Sequence, residues 1–333
     1  MNSFAQLCER YRAEGGLPLE EASQLLGIVL SEDSSPAMMG AFLGMVGVES
    51  ASPTALAGFV KLLRERMIGE PALDCVDTCG TGGGIPSLNI STAAAFIVAG
   101  AGVQVAKHGN RAVTSKVGSA DVLEALGLPI PVPNARLLLD EIGVSFFFAP
   151  SFHPGLARIG PVRRELGFRT VFNLLGPMLN PAGAKRQVIG AWSPGVARSI
   201  AGALALLDAE EVRVVHGMVG LDEVSPVGET LVLTVRDGQV SESTVSPETF
   251  GLRRVDVSSL APGADAREGA ERLRLAISDP KSEAFAAVAP SAALTLVVAT
   301  GCDPVSAGQR VTEVVESGAA VAKLDSLVRE ALR

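Results

Sequence analysis

The chain has 333 residues, 47% of them hydrophobic, and a formal charge of −8. That balance excludes a wholly disordered polymer and argues against a general nucleic-acid or anionic-membrane surface, which depends on accumulated Lys and Arg. The length permits one large domain plus a small one, with a sizeable buried core.

In the first seventy residues, apolar side chains recur at helical spacing over 20–30, 36–48 and 53–67, and Pro36 and Pro53 each follow a serine suited to cap a helix start. After Pro71 the period changes. Apolar strands over 103–106, 144–149, 188–191 and 212–215 alternate with helical segments over 93–101, 120–126 and 196–207. Such alternation predicts an α/β fold with a mostly parallel central sheet covered by helices, and it puts ligand loops beyond the carboxyl ends of strands. Residues 230–235, the turn Asp237-Gly238 and the mostly polar 239–244 predict a hairpin at a sheet edge, and helices return from about Ala264.

Four scattered cysteines, a start without an apolar signal segment after a basic cluster, and no run long enough to span a bilayer lead to an expected reducing cytoplasm with neither membrane nor nucleic-acid partner. Cys75-x-x-x-Cys79 lacks a second ligand pair at finger-like spacing, so these read as buried free thiols beside a strand rather than a zinc site.

Two stretches carry the chemistry: Asp77-Thr-Cys-Gly-Thr-Gly-Gly-Gly-Ile-Pro-Ser-Leu-Asn-Ile-Ser-Thr92, and Lys107-His-Gly-Asn-Arg-Ala-Val-Thr-Ser115. Gly80, Gly82, Gly83, Gly84 and Gly109 are expected in turns where backbone N–H groups approach an anion closely, and Ser91 and Thr92 stand where a helix begins. Lys107, Arg111, Thr114 and Ser115 add charge and hydroxyl donors from a neighbouring strand end. A polyanion is the predicted ligand. The turn matches neither the dinucleotide fingerprint nor the Walker loop. Local positive charge recurs at Lys116 and at Arg163, Arg164 and Arg169.

The ordered set of motifs resembles the anthranilate phosphoribosyltransferases, in the glycosyltransferase family that also holds pyrimidine nucleoside phosphorylases. The likeness rests on the Gly-Thr-Gly-Gly turn, the Asn-Ile-Ser-Thr helix start, Lys107-His-Gly-Asn-Arg111 and Gly118-Ser-Ala-Asp-Val-Leu-Glu-Ala-Leu-Gly127. Further on come Phe152-His-Pro154, Val162-Arg-Arg-Glu-Leu-Gly167, Thr170-Val-Phe-Asn-Leu-Leu-Gly-Pro177, Asn180-Pro181, Val215-His-Gly217 and Leu221-Asp-Glu223. The resemblance implies a small α-helical domain over 1–70, rejoined by roughly 154–182, beside a large α/β domain over 71–333; it also implies a homodimer and Mg2+ as cofactor.

By the same resemblance, phosphoribosyl pyrophosphate is lined by Gly80, Gly83, Ser87, Asn89, Ile90, Ser91 and Thr92, by Lys107, His108, Gly109, Asn110, Arg111, Ala112, Val113, Thr114 and Ser115, and by Ser119. Anthranilate falls to Gly80, Asn110 and Arg163, the arginine being suited to a carboxylate by a two-pronged hydrogen bond. Magnesium falls to Ser91, Asp222 and Glu223, oxygen donors of the kind that ion takes. The activity so implied is transfer of the phosphoribosyl group to the amine of anthranilate, with no covalent nucleophile on the protein.

Each assignment has a plainer rival. Asp222-Glu223 alone reads as a solvated loop pair, Arg163 and Arg164 as surface charges on a helix, and Ser119 and Asp121 as N-cap and first-turn residues. His108 reads as a loop-shaping donor, His153 as orienting the turn before Pro154, and His216 as structural. Alternatives for the whole chain are a phosphoribosyltransferase or nucleoside phosphorylase with another acceptor, and a noncatalytic binding paralogue. Two departures stand out. The family carries an aspartate after Gly-Thr-Gly-Gly, whereas Gly80 to Asn89 is one residue shorter with no carboxylate; and Arg267-Glu-Gly-Ala-Glu271 stands where the family carries Asn-Ala, a change expected to concern helix packing.

Overall fold

The computed structural model describes residues 2–49, 51–71, 74–111 and 117–333. Four helices open the chain: α1 Phe4–Glu14, α2 Leu19–Val29, α3 Pro36–Met45 and α4 Pro53–Arg66. The Ser-Pro signals work as read, because the Ser35 hydroxyl accepts from the Met38 amide at 3.3 Å and the Ser52 hydroxyl from the Ala55 amide at 3.4 Å.

Alternation then begins: β1 Val76–Gly80, α5 Ile90–Gly100, β2 Val105–Gly109, α6 Ser119–Ala125, α7 Ala135–Ile142 and β3 Val144–Phe148. Short helices α8 Ala149–Phe152, α9 Ile159–Leu166 and α10 Phe172–Leu175 lead to β4 Arg186–Gly190, α11 Pro194–Ala205 and β5 Glu211–Gly217. The hairpin β6 Thr230–Arg236 and β7 Gln239–Val245 follows, and α12 Ala266–Ser278, α13 Glu283–Thr300, α14 Pro304–Glu316 and α15 Ala319–Ala331 complete the chain.

Among the described residues seven strands form one sheet, in the order β3-β2-β1-β4-β5-β6-β7. The first five run parallel and the hairpin adds two antiparallel strands at one edge, as its turn signal predicted. Strand order reverses between β1 and β4, so a crevice opens there beyond the strand ends. Both faces are covered. Along β4, Val188 joins an apolar cluster with α5, α13 and α15, while Ile189 joins another with α4 and α11. This second cluster also takes in Leu7, Phe42 and Phe59 from the opening helices and Ile159, Phe172, Leu175 and Met178 from the 154–182 stretch.

One length expectation needs correction. α13 is 18 residues long and apolar enough, by length and composition, to cross a membrane. Its surface is mostly buried against α5, α12 and α14, which is how a core helix of this composition is satisfied.

Candidate active site at the sheet switch point

Gly80 ends β1, Gly190 ends β4, and the two pair in register. Asp222 lies across both: a Cβ on Gly190 would come 1.6 Å from the Asp222 carbonyl oxygen, and one on Gly80 2.8 Å from Asp222 Oδ2. The amides of Gly82 and Gly83 donate to that same Oδ2 at 2.7 and 3.3 Å, and the Ile85 amide donates to the Gly220 carbonyl at 2.8 Å. The glycine turn is therefore packed onto the 217–223 loop.

This corrects why the glycines are needed. Of the five, only Gly82 has a left-handed backbone, with φ 72°. Gly83, Gly84 and Gly109 are glycine because a Cβ would strike Trp192 at 2.4 Å, the Asp222 amide at 2.6 Å and the Ser119 hydroxyl at 2.4 Å. Two amides expected to await an outside anion here serve the chain's own carboxylate.

Nor are Asp222 and Glu223 a solvated pair, for both are buried. Glu223 Oε1 accepts the Ser91 amide at 3.1 Å and Oε2 accepts the Ser291 hydroxyl at 3.4 Å. Burial and then the charge of Asp222 push the Glu223 carboxyl up to about 8, against Lys107 and the Ser91 hydrogen bonds. Burial also raises the Asp222 carboxyl, opposed by the amides of Gly82, Gly83 and Gly84. Ser91, Asp222 and Glu223 thus do converge. Two adjacent carboxyl groups and a hydroxyl are hard oxygen donors, and a divalent cation among them would stabilise the charged forms that burial disfavours, so these residues fit Mg2+. Cys75 and Cys79 are buried and free.

At the start of α5, Asn89 takes the N-cap position, while the side chains of Ile90 and Thr92 are buried and can offer an anion only their backbone. Ser87 is half-buried in the turn just before. A Cβ on Gly269 would stand 3.0 Å from Val122 and 3.7 Å from Asn89 Oδ1, so the Arg267-to-Glu271 departure borders a predicted substrate residue as well as a helix contact.

The second turn follows β2. Lys107 is buried, its ammonium donating to the His108 carbonyl at 3.4 Å and acting electrostatically on both Asp77 and Glu223. The His108 amide donates to Asp77 Oδ1 at 3.3 Å. Its ring lies 5.5 Å from that of His153, and burial followed by the charges of His153 and Lys107 pushes it down to about 3, so it is a neutral imidazole inside the fold. His153 bonds the Leu179 carbonyl and His216 the Ala191 carbonyl, at 3.1 and 2.8 Å, as structural histidines do.

Asn110 turns its amide oxygen to the Arg111 N–H at 2.8 Å, and its carbonyl accepts from the Ser119 hydroxyl at 3.2 Å. Arg111 is drawn to Asp121 and Glu124 at 3.0 and 2.8 Å. Ser119 is not the cap of α6 as expected: Gly118 holds that position, and its amide donates to Asp121 Oδ2 at 2.9 Å. Ala112, Val113, Thr114, Ser115 and Lys116 lie outside the described residues. Arg163, in the last turn of α9, is half-buried with its guanidinium 5.3 Å from the Phe172 ring centroid, and burial lowers its pKa.

Residues 72–321 match the model of the glycosyl transferase family, a/b domain. The chain is 43% identical over 330 residues to anthranilate phosphoribosyltransferase of Rubrobacter xylanophilus, spanning 97% of this chain and 96% of that protein. It belongs to the anthranilate phosphoribosyltransferase family. The structure of the Thermus thermophilus enzyme superposes with a TM-score of 0.90 at 34% identity, covering 98% and 99% of the two chains. That of the Saccharomyces cerevisiae enzyme in complex with PRPP and Mg shares the fold, with a TM-score of 0.85 at 24% identity over 98% and 97%.

Sequence reading of this family member left several groups at the site without a role. Asp77 opens the first motif, yet only the structure reveals its carboxylate buried beneath both turns and bonded to His108 and Gln187. Ser291 on α13 is an ordinary buried helix residue by pattern, and its contact with Glu223 spans 68 positions. Arg169 stands in the sequence only as part of a basic cluster, and Trp192 carries no sequence signal of its own.

Proposed function

We propose that the chain transfers the phosphoribosyl group of phosphoribosyl pyrophosphate to anthranilate, giving N-(5-phosphoribosyl)anthranilate and pyrophosphate in tryptophan biosynthesis. The observation that carries this reading is the meeting, at the sheet switch point, of the Gly80-to-Asn89 turn with Ser91 and the buried pair Asp222-Glu223. Similarity to anthranilate phosphoribosyltransferases along nearly the whole chain supports it.

In this reaction the bond from the anomeric carbon to the pyrophosphate oxygen breaks and its electron pair leaves with pyrophosphate. The amine nitrogen forms the new bond and then sheds a proton. The glycine turn and the α5 start, with Lys107, Asn110, Arg111, Ser119 and the 112–115 stretch, surround the phosphates. Ser91, Asp222 and Glu223 would hold Mg2+, which when bound would supply positive charge to the diphosphate leaving group. Arg163 receives the anthranilate carboxylate, and Gly80 and Asn110 border the amine, so holding it in line with the anomeric carbon contributes through proximity. No group of the protein is required as a covalent nucleophile.

The same reading divides the chain into a helical unit, 1–70 with 154–182, and an α/β unit that carries the phosphates. It further takes the enzyme as a homodimer through its helices, which light scattering would test. Four unpaired thiols support a reducing compartment, the cytoplasm. The deciding assay incubates the protein with Mg2+, phosphoribosyl pyrophosphate and anthranilate and follows the loss of anthranilate fluorescence. No loss at high enzyme concentration rejects the proposal, and phosphorolysis of thymidine or uridine instead would establish a nucleoside phosphorylase.

A further inference from the structure

The glycine turn has no side chain between Thr81 and Ile85 with which to hold its own shape, and it is one residue shorter than the family pattern. Its fixing comes from outside. Arg169, just beyond α9, donates from Nη2 to the Gly83 carbonyl at 2.7 Å, and its guanidinium lies 4.9 Å from the Trp192 ring centroid. Gly83 faces this stacked pair on the side a Cβ would occupy, since a Cβ there would stand 2.4 Å from the indole and 3.1 Å from Arg169 Cζ. The indole is fixed in turn: its N–H donates to Glu49 Oε1 and the Ser193 hydroxyl to Glu49 Oε2, both at 2.7 Å.

We propose that Arg169 is a positioning residue for the phosphate turn, orienting the Gly83–Gly84 peptide by holding its carbonyl from a guanidinium stacked on Trp192. In a trans peptide the carbonyl and the following N–H point in opposite directions, so a carbonyl held outward on Arg169 turns the Gly84 amide inward. The amides on the other side of Gly83 are held as well, those of Gly82 and Gly83 donating to Asp222 Oδ2 at 2.7 and 3.3 Å. Arg169 therefore holds the Gly83 carbonyl while Asp222 holds the Gly82 and Gly83 amides, so the shape of the turn is set before an anion enters it. A planar guanidinium that stacks and donates at once suits this task; an ammonium does not. The inference rests on reading the turn as the diphosphate site.

Trp192 is the chain's only tryptophan, so its emission is a native probe of this contact. Titrating the full chain with phosphoribosyl pyrophosphate and Mg2+ should change that emission. In Arg169→Ala, half-saturation in the titration and KM for phosphoribosyl pyrophosphate should rise together by about tenfold, with kcat within about threefold, as expected when a binding geometry is lost. Arg169→Lys should recover little, whereas Arg169→Gln, which keeps a planar donor, should lie between Ala and wild type and serves if the Ala variant fails to fold. Unchanged half-saturation and KM in folded Arg169→Ala or Arg169→Gln would overturn the proposal, as would full rescue by Lys, which would reduce the role to charge. If the wild-type protein itself neither binds nor turns over the compound, the diphosphate reading falls and this inference with it.

Discussion

Glu223 is forced to hold its proton to about pH 8 by burial and by Asp222. An ordinary glutamate in the unfolded chain releases it near 4.5. Between those values the folded protein binds more protons than the unfolded one, so the stability Glu223 contributes is complete below the lower value and is lost as pH rises through the upper. In metal-free buffer the thermal midpoint of Glu223→Gln should therefore fall less than that of wild type from about pH 5 to 8. Parallel profiles in the two proteins would contradict it. His108 works in the other direction, its ring held neutral down to about 3, so its contribution is lost as pH falls below the ordinary histidine value; it cancels when variant and wild type are compared. Because Mg2+ requires the carboxylate, the shift in midpoint on adding Mg2+ with phosphoribosyl pyrophosphate should grow over the same window and shrink in Glu223→Gln. At the other substrate, Arg163→Lys keeps the charge but loses the paired donors of a guanidinium. KM for anthranilate should rise by roughly tenfold, from the loss of about 1.5 kcal/mol, a typical worth for a charged hydrogen bond, with KM for phosphoribosyl pyrophosphate little changed. Equal anthranilate KM values would remove Arg163 from the acceptor site.

At the scale of elements, glycines that look alike in sequence do different things. Gly190 closes β4 beneath the Asp222 backbone, with 1.6 Å between a would-be Cβ and a carbonyl oxygen, and neither partner is a flexible side-chain end. Gly190→Ala must push β4 and the Asp222 loop apart, costing about 3 kcal/mol or more and separating Asp222 from the Gly82 amide, so turnover should be lost as well. Gly40, in mid-α3, has nothing within 4 Å of a Cβ. There Gly→Ala should stabilise by about 0.5–1 kcal/mol, because only helix propensity changes. Melting curves for both check the pair, and a stable, active Gly190→Ala would undo the account of the switch point. Caps and strands of this kind were readable in advance: Ser35-Pro36, Ser52-Pro53 and the apolar strand runs state their local physics in a few adjacent residues. α1 was not, since only Leu7 and Tyr11 are buried from its eleven residues, too thin a stripe to register. The grip of Asp222 on Gly82 spans 140 positions and exists only because β5 lies one strand beyond β4. Periodicity carries no such information; motif resemblance pointed to the residues, and topology supplies the reason they meet.

Across the whole molecule, the opening helices have no core of their own. Phe59 is fully buried, edge-on to Phe42 with centroids 5.4 Å apart, and the cluster holding both continues through α11 to Ile189, Val212 and Val214 on the sheet. A helical unit whose apolar face is completed by the sheet cannot unfold while leaving the sheet intact, because its separation would expose both sides of the shared cluster. Phe59→Ala should therefore cost about 3–5 kcal/mol and destabilise the protein as one cooperative unit. Trp192 belongs to that same cluster and reports on the glycine turn, whereas circular dichroism averages over all helices. In denaturant, the fluorescence and dichroism midpoints should coincide in wild type and move together in Phe59→Ala. An early loss of helical signal with Trp192 emission still native would mean that the first seventy residues fold as a separate body, and the site would then depend on their docking rather than on a common core.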